Sequence, residues 1–361
     1  MTPEELSRTV LRAMRRAVDA GELTATVPER AHVERPGPGG TGDYATNLAL
    51  RVAREASAPP RRVAETLSAR LAAEPGIARA DVTGPGFLNI TLDADSAPHL
   101  VQKVLEEGER YGHITPDTGA LAQLHTPHDL RAVVVADAAR RILRSQGVLA
   151  RVTSDEAPDD EWVEVLGVRV DGHGHPPTPL TTLRPVPAPR TPDPLRLGRD
   201  AARWALLHPA PHDRPRTCDD DHLAQRESNP LFRIRYAHAR TRALTRNAAD
   251  LGFTAAPGEA GTSAPGPADD LADAAAHTLL AALGDHPTVL ATAARRHSPD
   301  RLTRHLVRTA DAFLAQAHTV LPLGDEKPSA AHRARLALAE AAGTVLAGGL
   351  SLLGISAPEY L

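Results

Sequence analysis

His125 and His128 stand three residues apart, with Arg131 three further on, in the run His125-Thr126-Pro127-His128-Asp129-Leu130-Arg131. A second pair, His173 and His175, lies in a Pro- and Gly-rich stretch over 171–194. Either pair could begin a metal site, but such a site needs three or four converging ligands with support behind them. The stretch offers only loose geometry, and no metal is assigned. Cys218 is followed by Asp219, Asp220 and Asp221, the reverse of the electropositive setting a reactive thiolate needs. No Gly-x-Ser-x-Gly elbow marks a serine nucleophile. The glycine-rich run Pro36–Gly42 could cradle a phosphate. No Lys-Ser/Thr follows it and no dinucleotide-type strand precedes it, so it reads as a flexible turn.

A different chemistry gathers at Ser228–Arg240. Asn229 is suited to cap a helix, and Pro230 to open it, where a missing N–H costs nothing. The helix then carries Arg233, Arg235, Arg240, Arg242 and Arg246, with Phe232, Tyr236 and His238 among them. Basic groups mixed with rings suit RNA, which offers phosphates to arginines and unstacked bases to aromatics. The alternative is an amphipathic helix with a solvated arginine face. Arg295, Arg296, Arg301, Arg304 and Arg308 form a second basic cluster, open to the same two readings.

The chain has 361 residues, enough for two or three domains, and its 42% hydrophobic content permits a sizeable core. A net charge of −4 excludes a uniformly basic nucleic-acid binder, so any RNA contact must use local patches. Lysine occurs only at Lys103 and Lys327, and aromatics make up 3%. One cysteine excludes an intramolecular disulfide or a thiolate cluster. The N-terminal run lacks an apolar signal core. The longest apolar run, near Ala341–Ile355, reads as too short for a bilayer. A cytoplasmic protein with no membrane partner is expected.

Elements to position these residues follow from periodicity. Residues 1–110 predict a mixed α/β unit: a helix to about Asp19, a strand at Ala31–Glu34, helices after Gly42 and after Pro59-Pro60, a hairpin with strands Ile77–Val82 and Phe87–Leu92, and a helix from Ser96 to Arg110. From Arg226 the pattern is helical. It predicts helices at Pro230–Leu251, Asp269–Leu283, His286–Arg296, Pro299–Thr319 and Ala330–Leu353, with a Pro/Gly/Ala loop at 255–267 and Gly354 ending the last helix.

Several phrases resemble one family. GDYATNLAL, PPRRVAETLSARL and GPGFLNITL occur in the order found in the N-terminal domain of arginyl-tRNA synthetases, NPLFRIRYAHAR resembles the opening helix of their anticodon-binding domain, and the final Leu353–Leu361 is similar to their terminal L-G-I-x-A-P-E-x-M. Between them, His125–Ala138 resembles the class I H-x-G-H-L-R stretch and its helix. Pro127 stands between the histidines in place of glycine, and a register that matches Leu130-Arg131 puts Asp129 where the second histidine belongs. Leu166–Gly172 resembles the strand before the K-M-S-K loop, whose slot reads His173-Gly174-His175-Pro176-Pro177 with no lysine. Leu195–Leu207 resembles the helix bridging to the anticodon domain.

The resemblance implies a multidomain α/β plus all-α protein. A small α+β domain at 1–112 would contact the tRNA elbow through Tyr44 and Asn47. A reduced Rossmann-like remnant would occupy 113–222, with a degenerate signature at His125, His128 and Arg131. A helical-bundle anticodon-binding domain of DALR type would occupy 223–361. There Asn229, Phe232, Arg233, Tyr236, His238, Arg240, Arg295 and Arg296 are the implied tRNA contacts. The implied function is tRNA binding without arginine activation, a pseudoenzyme whose partner is tRNA, with arginine tRNA the first candidate, and not DNA. No cofactor is expected; ATP enters only if the alternative holds, an active minimal arginine–tRNA ligase. A protein-binding assembly factor using the bundle is the further alternative.

Overall fold

Thr2 starts the first helix by a reciprocal cap. Its hydroxyl accepts from the Glu5 amide at 3.3 Å, and the Glu5 carboxylate accepts from the Thr2 amide at 2.8 Å. The computed structural model describes every residue except 38–39, 116–117, 175–179 and 259–266, and not the side chains of 219–220 and 267–273. Readings that rest on Pro38, Gly39, His175 or the centre of the 255–267 loop therefore lie outside the described residues. Contacts divide the chain into Met1–Leu100 and Val101–Leu361. The segments 113–222 and 223–361, read as separate domains from sequence, share the second unit.

In the first unit the elements are α1 (Pro3–Asp19), β1 (Val33–Glu34), β2 (Tyr44–Thr46), α2 (Leu48–Val52), α3 (Pro60–Leu71), β3 (Ile77–Thr83) and β4 (Phe87–Leu92). The sheet is antiparallel in the order β1-β2-β4-β3, with Thr83 opposite Phe87 at the hairpin end. Leu6, Val10 and Met14 of α1, Leu67 and Leu71 of α3, and Leu88 and Ile90 of β4 make one core. Their spacing of four on the helices and two on the strand is the periodicity expected of faces turned inward.

Helix α4 (Ser96–Glu107) runs through the boundary. The second unit then builds β5 (Leu121–Thr126), α5 (Leu130–Ser145), β6 (Leu149–Ser154), α6 (Asp160–Leu166), β7 (Gly172–His173) and β8 (Thr181–Thr182). All pairings are parallel, in the order β7-β6-β5-β8. Counted along the chain, this is strand order 3-2-1-4, half of a doubly wound sheet, with its switch point between β5 and β8. Helices α7 (Gly198–Leu207), α8 (Asp219–His222), α9 (Pro230–Asp250), α10 (Pro267–Arg296), α11 (Pro299–Gln316) and α12 (Ala330–Leu353) complete it. The fold is mixed α/β with a helical C-terminal part, as the sequence predicts.

Three expectations are corrected. Leu166–Gly172 is not a strand: α6 ends at Leu166, Gly167 caps it in the left-handed region at φ 61°, and only Gly172–His173 pairs. The helices expected at Asp269–Leu283 and His286–Arg296 are one helix, α10, with Pro287 inside it. Proline removes the N–H that would bond the carbonyl four residues back, which is why it reads as a break. Here the Leu283 carbonyl accepts instead from the Tyr111 hydroxyl at 3.2 Å. The apolar run near the C-terminus belongs to α12, which is 24 residues long and apolar enough by length and composition to cross a membrane, but 78% of its most apolar window is buried inside the protein.

Two buried polar centres tie the second unit together. Asp137 of α5, with a fully buried side chain, meets Arg203 of α7 at 2.8 Å and Arg140 at 2.7 Å, with Arg141 at 3.2 Å. Burial alone would raise the Asp137 pKa; Arg203, Arg141 and Arg140 outweigh it and hold the carboxyl below its ordinary value. Arg203 also donates to the Leu353 carbonyl at 2.7 Å and the Leu166 carbonyl at 2.9 Å, so α5, α6, α7 and α12 meet at one guanidinium. Gly354 caps α12 at φ 72°, and a Cβ there would lie 2.6 Å from the Arg203 guanidinium carbon. The second centre is a stack. Tyr111 lies against His286 at 5.9 Å between centroids, and His286 against His305 at 5.2 Å. Burial lowers both histidines, His286 to about 3 and His305 well below its usual value.

Asp137→Ala leaves Arg203 charged and buried without its carboxylate; urea denaturation should show a loss of about 3–5 kcal/mol. The histidines predict an acid limit. Their folded pKa values are depressed, so their contribution is complete above about pH 6.5 and is lost as pH falls from there toward the folded values. Stability should fall by up to about 1.4 kcal/mol per pH unit for each histidine, and His286→Phe should reduce that slope by about one proton's worth.

Candidate functional site

The carboxyl ends of β5 and β6 are where a doubly wound sheet binds nucleotides, and His125, Thr126, His128 and Asp129 sit there. His125 is buried. Its Nδ1 lies 2.9 Å from the Thr153 hydroxyl and its Nε2 3.0 Å from Asp155 Oδ1. His128 stacks on Trp162 at 4.8 Å, with Nε2 3.4 Å from Asp159 Oδ1. The two rings thus have separate partners, and among the described residues no group of three or more His, Cys, Asp or Glu could hold a metal.

Asp129 and Arg131 do structural jobs in the same stretch. Asp129 caps α5, its carboxylate accepting from the Ala132 amide at 2.9 Å. That places a negative charge where a helix N-terminus would otherwise receive a phosphate. Arg131 is fully buried and gives every N–H to a carbonyl: Nε to Leu206 at 3.0 Å, Nη1 to Val186 at 2.6 Å and Asp213 at 2.7 Å, Nη2 to Pro209 at 3.0 Å and Ala210 at 2.9 Å. Arg131, expected in a catalytic signature, has no donor left for a substrate.

Helix α9 is the second candidate surface. Asn229, expected to touch RNA, is only 3% exposed. Its Oδ1 accepts from the Leu231 and Phe232 amides, while its Nδ2 donates to the His222 carbonyl at 2.9 Å and the Ala224 carbonyl at 3.0 Å. Asn229 is therefore the cap and a loop tie. His238 is also buried, its Nδ1 2.9 Å from the Pro358 carbonyl; burial lowers its pKa despite that bond, so its ring is held inside by the C-terminal segment. That segment covers one side of α9 further: Arg242 pairs with Glu359 at 3.0 Å, and Arg246 lies 4.3 Å from the Tyr360 ring centroid. Arg235 reaches Asp200 at 3.7 Å.

Left for a ligand are Phe232 and Tyr236, stacked at 5.8 Å, with Tyr236 44% exposed. Arg240 is half-buried and has no ion pair or hydrogen bond among the described residues. Arg233 lies 3.3 Å from Asp311. Arg295 and Arg296 are exposed at the end of α10.

In the first unit, Tyr44 is 5% exposed and belongs to the core, so its ring supports the sheet rather than facing a ligand. Asn47 precedes α2 without capping it, and its Oδ1 is buried with no hydrogen-bond partner. Sequence reasoning left Arg301, Arg304 and Arg308 out of the implied contacts, although spacings of three and four put them on one face of α11. All three line one cleft with Arg233. The Asp137–Arg203 centre had no local signal: its partners are 66 residues apart.

Comparisons with known proteins fall on both ends of the chain. Residues 4–92 match the family described as arginyl tRNA synthetase N terminal domain, and residues 234–361 match the DALR anticodon binding domain. The arginine–tRNA ligase of Renibacterium salmoninarum is 27% identical over 559 alignment positions that cover 100% of both chains. That of Pseudarthrobacter chlorophenolicus is 26% identical over 563, with the same coverage. Since this chain has 361 residues, the first alignment leaves 559 − 361 = 198 positions without a residue of it. The Thermus thermophilus arginyl-tRNA synthetase structure superposes with a TM-score of 0.67 at 15% identity and 100% coverage of both chains. That from Plasmodium falciparum gives 0.68 at 9% identity and 99% coverage of both. These likenesses are to the fold. The chain is thus similar to arginyl-tRNA synthetases, with its two ends matching the models of their N-terminal and DALR domains.

Arg131→Met should separate a structural from a catalytic role. It strands five carbonyls, each costing about 1–3 kcal/mol if buried without a partner. A fall in urea midpoint, with at least ~3 kcal/mol lost, is the expected outcome.

Proposed function

We propose that this relative of the arginyl-tRNA synthetases binds tRNA in the cytoplasm, arginine tRNA in the first place, and does not itself activate arginine. The observation that carries the second half is Arg131, whose five N–H groups are all taken by backbone carbonyls. Asp129 at the start of α5 supports it, because a carboxylate there repels the phosphates that an adenylate-forming site must hold. So do the 198 positions of the alignment with the Renibacterium ligase that hold no residue of this chain. Residues positioned this way do not fit ATP, and no step is assigned to it; the reading needs no cofactor.

The binding half rests on α9, which enters the DALR match at residue 234. The Phe232–Tyr236 stack gives bases a ring to lie on, and Arg240 and the exposed Arg295 and Arg296 give phosphates a charge. Phosphate contacts supply affinity and make it salt-dependent, whereas ring and base contacts supply choice. A second reading, an active minimal arginine–tRNA ligase with ATP as substrate, is favoured by one observation: the relatives named arginine–tRNA ligase align with this chain over their whole length.

Two measurements on one preparation decide between them. Labelled arginine tRNA should bind in preference to an unrelated tRNA, with affinity falling as salt rises, and Tyr236→Ala should weaken it by about 1–3 kcal/mol. ATP–pyrophosphate exchange with arginine should stay at background. Exchange above background sinks the inactive reading in favour of the ligase. Absence of both signals sinks both and leaves a protein partner to be sought.

A further inference from the structure

The cleft between α9, α10 and α11 has a volume of about 660 Å³, the size range of small-molecule sites. Arg233 of α9 and Arg301, Arg304 and Arg308 of α11 converge on it, and Val289 and Val307 give it an apolar wall. No carboxylate is among its lining residues. Two arginines are partly compensated from behind: Arg304 by Asp300 at 2.6 Å, and Arg233 by Asp311 at 3.3 Å, although its Nε has no hydrogen-bond partner. Arg301 and Arg308 have no ion pair among the described residues; Arg308 meets only the neutral ring of His305, at 3.4 Å. Guanidinium groups facing one space repel unless an anion lies between them, and their planar forks match phosphate oxygens two at a time. An adjoining cleft of about 700 Å³ shares Arg304 and adds Arg214, Arg216 and Arg226, alongside Asp213 and Asp221.

We propose that this cleft binds a nucleotide, its phosphate on Arg301, Arg304 and Arg308 and its base or ribose against Val289 and Val307. The nucleotide comes either free, as a nucleoside monophosphate, or as part of an RNA strand. The strand source rests on the tRNA-binding reading; the free source does not.

The test uses the full chain and the double variant Arg301→Ala/Arg308→Ala, whose side chains are exposed, with circular dichroism as the folding check. Each is titrated with AMP and, separately, with arginine tRNA. Binding of AMP that weakens at least tenfold in the double variant supports a free-nucleotide site, whether or not tRNA binds. Without AMP binding, a tenfold loss of tRNA affinity with a salt slope lower by about two supports the strand source, each lost phosphate contact removing about one. The proposal is overturned if neither titration changes in the variant, or if the wild type binds neither ligand. A wild type that binds AMP in the cleft but no tRNA overturns the tRNA reading alone.

Discussion

The carboxylate of Asp137 and the guanidinium of Arg203 meet at 2.8 Å with no solvent contact on either side chain. Two charges removed from water are costly to keep, and they are tolerated only where geometry satisfies them fully. Here it does: Asp137 has three arginines, and Arg203 has two carbonyls besides. Because those carbonyls end α6 and α12, the pair fixes where the parallel sheet's crossover helices stand against the helical bundle. Gly354 is the corollary, since both its left-handed φ and the space it vacates are needed for Arg203 to reach Leu353.

Helix α5 consequently has a different job from the one its sequence suggests. The histidine–arginine signature runs from the end of β5 into its first turn, yet Asp129 caps the helix, Arg131 is bound to carbonyls between Val186 and Asp213, and Asp137 anchors the bundle. A side chain that must satisfy five carbonyls cannot also follow a reacting phosphate. What remains at the carboxyl ends of the strands is a parallel half-sheet where His125, Asp129 and Arg131 support the fold itself, while the buried Thr126 Oγ1 and His128 Nε2 have no hydrogen-bond partner among the described residues.

The surface of α9 is divided by the same logic. The final segment of the chain covers the side that bears His238, Arg242 and Arg246, leaving the Phe232–Tyr236 stack and Arg240 outside it. Of the eight aromatic, histidine and arginine residues of α9 that look like RNA contacts in the sequence, five have partners elsewhere in the chain: Arg233, Arg235, His238, Arg242 and Arg246. Those that remain available are fewer, but they are already in place, so binding would cost little side-chain ordering.

By itself the sequence determined most of the elements and their caps, though not the end of α6 at Leu166 or the continuity of α10 across Pro287. Asn229-Pro230, Thr2 with Glu5, and Gly354 act through bonds to residues at most a few positions away, and the core faces follow from periods of two and three to four. The ordered phrases at both ends of the chain likewise placed it beside the arginyl-tRNA synthetases. Tertiary structure alone decided which polar residues face a ligand. Tyr44 and Asn229 are buried, Arg131 is saturated, Arg203 finds Asp137 across 66 residues, and Pro287 stays inside a helix because Tyr111, far off in sequence, takes the carbonyl it freed. Local pattern fixes backbone conformation, whereas the partner that satisfies a charge or a carbonyl is set by packing, and packing is where distant segments meet.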